Sequence, residues 1–150
     1  MTTVTEIATT QVYQVFIKAT PEQIWEGITN PEFTKKYFYG TAIESSFEVG
    51  APYLSIAGDD TLVEGEILEA DPPHRLQTTW HALFDPEMAK EPYSRVTWEI
   101  EAQDGGFAKL TVVHDRLEES LKTAESVAGG WEFVLSGLKT LLETGKPLAG

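Results

Sequence analysis

The stretch GGWEFVLSGLKTLLETGKPL, from Gly129 to Leu148, restricts the fold of this chain more than any other. On a helix turning about 100° per residue, Trp131, Val134, Leu135, Leu138, Leu141 and Leu142 fall within an arc of roughly 120°, while Glu132, Ser136, Lys139 and Glu143 point away. A helix with so narrow a stripe has to cover an apolar surface. The expected helix runs from about Val127 to Glu143 and closes where Gly145 can turn left-handed and Pro147 blocks continuation. Phe133 stands opposite the stripe, so it is expected to be partly exposed, or covered by the preceding segment or by a second subunit. The last case leaves a homodimer open.

The surface to be covered is supplied by strands. VYQVFIK, from Val12 to Lys18, alternates, with Tyr13, Val15 and Ile17 the more apolar set. The period then changes. In TPEQIWEGIT, Thr20 is placed as an N-cap, Pro21 follows at the first helical position and Gln23 completes a capping box, so a short helix should present Ile24, Trp25 and Ile28. NPEFTKKYF repeats the device with Asn30 and Pro31, presenting Phe33, Tyr37 and Phe38. From about Ala42 to His114 the turn signals Gly50-Ala51-Pro52, Gly58-Asp59-Asp60, Asp71-Pro72-Pro73, DPEMAKEP and Asp104-Gly105-Gly106 separate about six strands. Turns this short join antiparallel neighbours. The expected class is α+β, with a curved antiparallel sheet of about seven strands packed on one long C-terminal helix and two short helices after the first strand.

Charge narrows the function. The formal net charge of -13, with no basic cluster, argues against nucleic acid and anionic lipid surfaces as partners. The acids alternate with apolar residues, as Glu64 and Glu66 do with Val63, Gly65 and Ile67, and as Glu99 and Glu101 do with Trp98 and Ile100, which is the pattern of a solvated sheet face. Cysteine is absent, which removes thiol chemistry and fits a reducing cytoplasm. MTTVTEIATT has neither the basic start nor the apolar run of a signal peptide, and no segment approaches the ~20 apolar residues of a membrane span. A flexible segment over residues 1–10 and a single domain over 11–147 are expected.

The segments TPEQIWEGITNPEFTKKYFYG, GEILEADPPHRLQTTW, VTWEIEAQDGGFAKLTVVHDRL and GGWEFVLSGLKTLLETG, in that order, resemble the SRPBCC superfamily, also called START-like or birch-pollen-allergen-like. Within it the chain is similar to bacterial homologues of the activator of the heat-shock chaperone ATPase. The resemblance covers about Gln11 to Pro147. It implies a helix-grip fold, often with a hydrophobic cavity between sheet and long helix. Relatives include lipid and hormone binders, polyketide cyclases, oxygenase domains and chaperone co-activators. The eukaryotic co-activators pair this domain with a separate N-terminal one, for which this chain leaves no room.

Strand parity places Leu76, Thr78 and Trp80 on one face, and Val96, Trp98 and Ile100 on one face. All four tryptophans then point inward: Trp25, with Phe33 and Tyr37, from the short helices, Trp80 and Trp98 from strands, and Trp131, with Leu135, from the long helix. Each either fills the core or lines a ligand cavity. Gly129 and Gly130 mark a close approach, a hinge at the cavity mouth or a loop before the helix. His114 shares the inward face of Leu110 and Val112, where it serves as a ligand contact or as a structural histidine. Asp115 faces the other way, so the two form no dyad. His74 lies in a turn and His81 faces outward, so no metal site is expected, and no cofactor.

The function expected from these residues is binding of a small hydrophobic or aromatic molecule, lipid- or polyketide-like, through Trp25, Phe33, Tyr37, Trp80, Trp98, His114, Trp131 and Leu135. A cyclase or hydrolase acting on such a ligand is the alternative, with His114, Tyr53 and Tyr37 as acid–base nominees. A chaperone-related interaction module comes third, with Phe133 and the loop around Met88 as its surfaces.

Overall fold

The computed structural model describes residues 7–148. Of the flexible segment expected at 1–10, the first six residues lie outside that range. Strand β1 (Gln11–Ile17) is followed by helices α1 (Pro21–Thr29) and α2 (Pro31–Tyr37). Strands β2 (Ala42–Ser45), β3 (Pro52–Ala57), β4 (Asp60–Asp71) and β5 (Arg75–Ala82) come next, then a turn of helix α3 (Pro86–Ala89). Strands β6 (Ser94–Gln103) and β7 (Phe107–Asp115) complete the sheet, and helices α4 (Leu121–Val127) and α5 (Gly130–Thr144) end the chain. The seven strands form one antiparallel sheet in the order β1-β7-β6-β5-β4-β3-β2.

The capping box of α1 is present: the Thr20 hydroxyl accepts from Gln23 N at 3.1 Å, and Thr20 N donates to the Gln23 side chain at 2.8 Å. Asn30 caps α2 by accepting from Glu32 N. Thr20→Ala is expected to cost about 1 kcal/mol in urea denaturation, and Thr20→Ser no more than a few tenths. An unchanged midpoint in the alanine variant would mean that α1 is held by packing alone.

The stripe of α5 is buried as its spacing requires: Trp131, Val134, Leu135, Leu138 and Leu141 are in the core, Leu142 is half-buried, and Phe133 is 44% exposed. Two glycines set how closely the helices approach. A Cβ at Gly27 would lie 2.9 Å from Leu138 Cδ1, and one at Gly137 3.1 Å from Tyr37 Cβ, so α1 and α2 pack directly on α5. Tyr37 joins the two short helices by donating to Gly27 O at 2.7 Å.

The C-terminal helical run differs from one straight rod. It extends from Leu121 to Thr144 but bends at Ala128–Gly129, where Gly129 takes φ +92 as the N-cap of α5. The glycine pair therefore marks a bend between two helices, because a positive φ is open to glycine and strained for other residues. Gly145 closes α5 in the left-handed conformation, donating its N–H to Leu141 O. The β5–β6 connection holds α4 in place: Glu91 accepts from Lys122 N, Thr123 N and the Thr123 hydroxyl, and the Ser120 hydroxyl donates to Pro92 O. Burial alone would raise the Glu91 pKa, but the three bonds outweigh it and hold the carboxyl below its ordinary value. Met88 anchors the same connection and is 2% exposed, while Glu87, Lys90 and Tyr93 around it are exposed.

Both margins of the sheet are modified. At β1 the Phe16 carbonyl accepts from Lys139 Nζ at 2.7 Å, and Lys18 N donates to Glu143 at 2.8 Å. At the other margin β2 is only four residues long.

Candidate functional site

Sheet and helices do not close on one another completely. A cavity of about 380 Å³ lies between β3–β5, the loop after α2, and the bend joining α4 to α5. Val127, Trp131 and Val134, spaced four and three residues apart on the bent helical run, form one wall, and Val63 and Trp80 form the opposite wall. Tyr39 and Phe84 also line it, and their exposures of 59% and 51% place the mouth beside them. Tyr39 adopts φ +53 and stacks on Phe133, ring centroids 5.7 Å apart. Gly130 lies against the Tyr39 hydroxyl.

A smaller chamber of about 40 Å³ lies deeper, beneath Tyr37, Tyr53, Thr78 and Trp98. Phe38, Thr41, Ser55, Trp80 and Trp131 line both spaces, so the two adjoin. Trp131 meets Trp98 and Phe38 edge-on at 5.5 and 5.8 Å. Among the described residues no charged one lines either chamber.

His114 is fully buried behind this wall. The Trp131 indole N–H can only donate, so His114 Nδ1 accepts it, at 3.0 Å, and the ring's proton sits on Nε2. Nε2 then donates to the Ser94 hydroxyl at 2.7 Å, which donates to Trp80 O at 3.1 Å. Ser94 and His114 are diagonal neighbours on the inner face, since Val96 pairs with His114. Every polar atom of the network has its partner, with the imidazole neutral. Burial lowers the His114 pKa from 6.5 to about 4, with the charge of Asp115 opposing. Asp115 faces outward and pairs with Arg95, whose guanidinium holds its carboxyl below the usual range.

The outer face of the sheet carries further ionic contacts. Arg75 bridges Glu69 and Glu99, and Glu64 accepts from Tyr93 at 2.6 Å beside His81, whose ring stacks on Tyr93. The Tyr93 and His81 bonds lower the Glu64 pKa. Among the described residues no group of three His, Cys, Asp or Glu is placed to hold a metal ion.

Of the residues singled out in the sequence, Trp80 and Trp131 line the main cavity and Tyr37 and Trp98 the inner chamber. His114 touches the wall residues Trp80 and Trp131 from behind. Trp25 and Phe33 are half-buried against the core, Leu135 is buried in it, and none of the three lines either space. Of the acid–base nominees, Tyr37 is committed to Gly27 O and His114 to its network, while Tyr53 remains on the inner chamber. Tyr39, Ser55 and Phe84 were missed, and Phe38, read as presented by the second short helix, was not among the expected ligand contacts. Ser55 was legible, because it shares an inward face with Tyr53; Tyr39 and Phe84 sit in connections with no period to read.

A curved antiparallel sheet gripping a C-terminal helix, with an apolar cavity between them, defines a helix-grip protein. The chain belongs to the family described as Activator of Hsp90 ATPase homolog 1-like protein, which matches residues 18–143. CalU16 from Micromonospora echinospora is 21% identical, with a TM-score of 0.72 over 93% of this chain and 77% of its own. Aha1 from Colwellia psychrerythraea, solved as a dimer, is 17% identical, with a TM-score of 0.73 over 93% of this chain and 99% of its own. PFC0360w, an HSP90 activator from Plasmodium falciparum, is 20% identical, with a TM-score of 0.72 over 90% of this chain and 96% of its own. Likeness at these identities establishes the fold. No curated protein matches the sequence. Among the described residues no helix is long and apolar enough to cross a membrane.

Proposed function

We propose that this protein binds a small apolar or aromatic molecule in the cavity between sheet and C-terminal helices, as a cytoplasmic binding protein. The observation that carries the reading is the open cavity of about 380 Å³ walled by Trp80, Trp131 and Val134, with exposed Tyr39 and Phe84 at its mouth. Its size falls in the range of drug-sized ligand sites, and covering such a surface releases water from apolar contact. Binding is favoured over turnover because two of the three acid–base nominees are already engaged with protein partners.

Naphthalene, a flavone and a long-chain alcohol serve as probes. Ligand at 100 times its Kd stabilises the fold by about 2.7 kcal/mol, which raises Tm, and occupancy beside Trp80 and Trp131 changes tryptophan fluorescence. Val127→Phe, which fills the cavity rim, is expected to weaken binding tenfold or more while circular dichroism stays unchanged. No shift in Tm or fluorescence with any probe would reject the reading. A chaperone-directed interaction, the activity that the family description names, is the second reading. It is favoured by the exposed Tyr39–Phe133 stack, and Phe133→Ser, at a ring that does not line the cavity, would then weaken partner capture without affecting the probes.

A further inference from the structure

Apart from the exposed Tyr39 and Ser126 on the main cavity, the hydroxyls around the two chambers fall into two sets. Thr34 donates to Thr41 O at 2.9 Å, Thr41 to Phe38 O at 2.7 Å and Tyr37 to Gly27 O at 2.7 Å, so these are used by the fold. Tyr53, Ser55 and Thr78 make no such commitment to the backbone. Ser55 lines both spaces where they meet, and Tyr53 and Thr78 line the inner one. Among the described residues no polar side-chain atom sealed away from solvent-accessible space lacks a partner, so the Ser55 hydroxyl, which makes no hydrogen bond to them, reaches accessible space at a residue that lines both chambers.

The arrangement depends on one glycine. Tyr53 pairs with Gly65 across β3 and β4, and a Cβ at Gly65 would lie 2.3 Å from Tyr53 Cε1. The phenol ring therefore lies over β4 at the one place without a side chain, and its hydroxyl meets Thr78 on β5. Burial raises the Tyr53 pKa, with the Thr78 hydroxyl opposing, which keeps the phenol protonated and able to donate.

Size and charge set the ligand. The inner chamber of about 40 Å³ compares with about 10–15 Å³ for one water-sized group, which gives room for a hydroxyl or carbonyl but not for a second ring. The aromatic body belongs in the outer chamber. A carboxylate at the inner end would be buried without a cation, in a chain whose net charge of -13 already repels anions.

We propose that Tyr53, Ser55 and Thr78 form a polar subsite that receives the phenolic or ketone oxygen of a neutral aromatic ligand, and that the cavity rejects a carboxylate of the same size. The inference rests on the binding reading above and names its ligand class.

The test is calorimetric titration at pH 7 of the full chain with 2-naphthol, naphthalene and 2-naphthoate. 2-Naphthol is expected to bind roughly fivefold or more tighter than naphthalene, the gain from one added hydrogen bond, and 2-naphthoate at least about tenfold weaker than 2-naphthol. Ser55→Ala and Thr78→Val should each reduce 2-naphthol affinity by severalfold and leave naphthalene unchanged. Circular dichroism identifies a misfolded variant, in which case the other one decides. Equal binding of naphthalene and 2-naphthol, or of 2-naphthoate and 2-naphthol, refutes the subsite while apolar binding stands, and so does 2-naphthol affinity unmoved in both variants. Binding of none of the three overturns the subsite and the cavity reading together.

Discussion

Trp131→Ala is expected to remove about 5 kcal/mol of folding stability. The indole is 4% exposed and packs edge-on against Trp98 and Phe38, and truncating such a ring costs about 3–5 kcal/mol. Its N–H is also the donor to His114 Nδ1, so the buried acceptor left behind adds about 1–3 kcal/mol. Against a typical total of about 5–15 kcal/mol the variant stands close to unfolding at room temperature. Trp131→Phe keeps most of the ring volume but still orphans Nδ1, so its loss should lie between those of wild type and the alanine variant. Urea denaturation measures both. A loss below about 2 kcal/mol in Trp131→Ala would mean that the ring flanks a space already able to collapse.

Acidification is expected to cost stability of similar order through His114. The folded ring titrates at about 4 because burial disfavours the imidazolium, whereas the unfolded ring titrates at its ordinary 6.5. Between those values the unfolded chain binds one proton more than the folded one. The His114 contribution is therefore complete above pH 6.5 and lost as pH falls towards 4, on the order of 3 kcal/mol in all. The carboxylates held low by partners, Asp115 and Glu64 among them, act in the same direction but below their ordinary values of 3.8 and 4.5, outside most of this window. Stability from urea titrations at pH 5 to 7 should rise with pH in wild type, and the slope should fall markedly in His114→Gln. Parallel slopes in the two proteins would show that the folded ring charges as readily as the unfolded one.

The features that sequence made legible are those governed by neighbours along the chain. Thr20 and Gln23 are three residues apart and make the capping box that their spacing predicts. Period-two alternation placed Leu76, Thr78 and Trp80 on the buried face, and the 3.6-residue period placed Leu135 and Leu138 under α5. His114 illustrates the boundary: its inward direction follows from parity with Leu110 and Val112, but its partners Ser94 and Trp131 come from other elements. Whether Trp80, Trp98 and Trp131 fill their space or leave a void depends on how their rings meet, and alternation carries no such information. The rim was hidden for another reason: Tyr39 turns through a positive φ and the helical run bends at Gly129, conformations with no repeat.

The treatment of the sheet's margins bears on how this chain behaves in a crowded solution. An open sheet invites a neighbour to extend it, strand against strand, as fibres grow. Here the Phe16 carbonyl and the Lys18 amide already have partners on α5, and the opposite margin is a strand of four residues, too short a template for zippering. Polymerisation through backbone pairing is thereby disfavoured at both ends, so that contact between copies is left to side-chain surfaces.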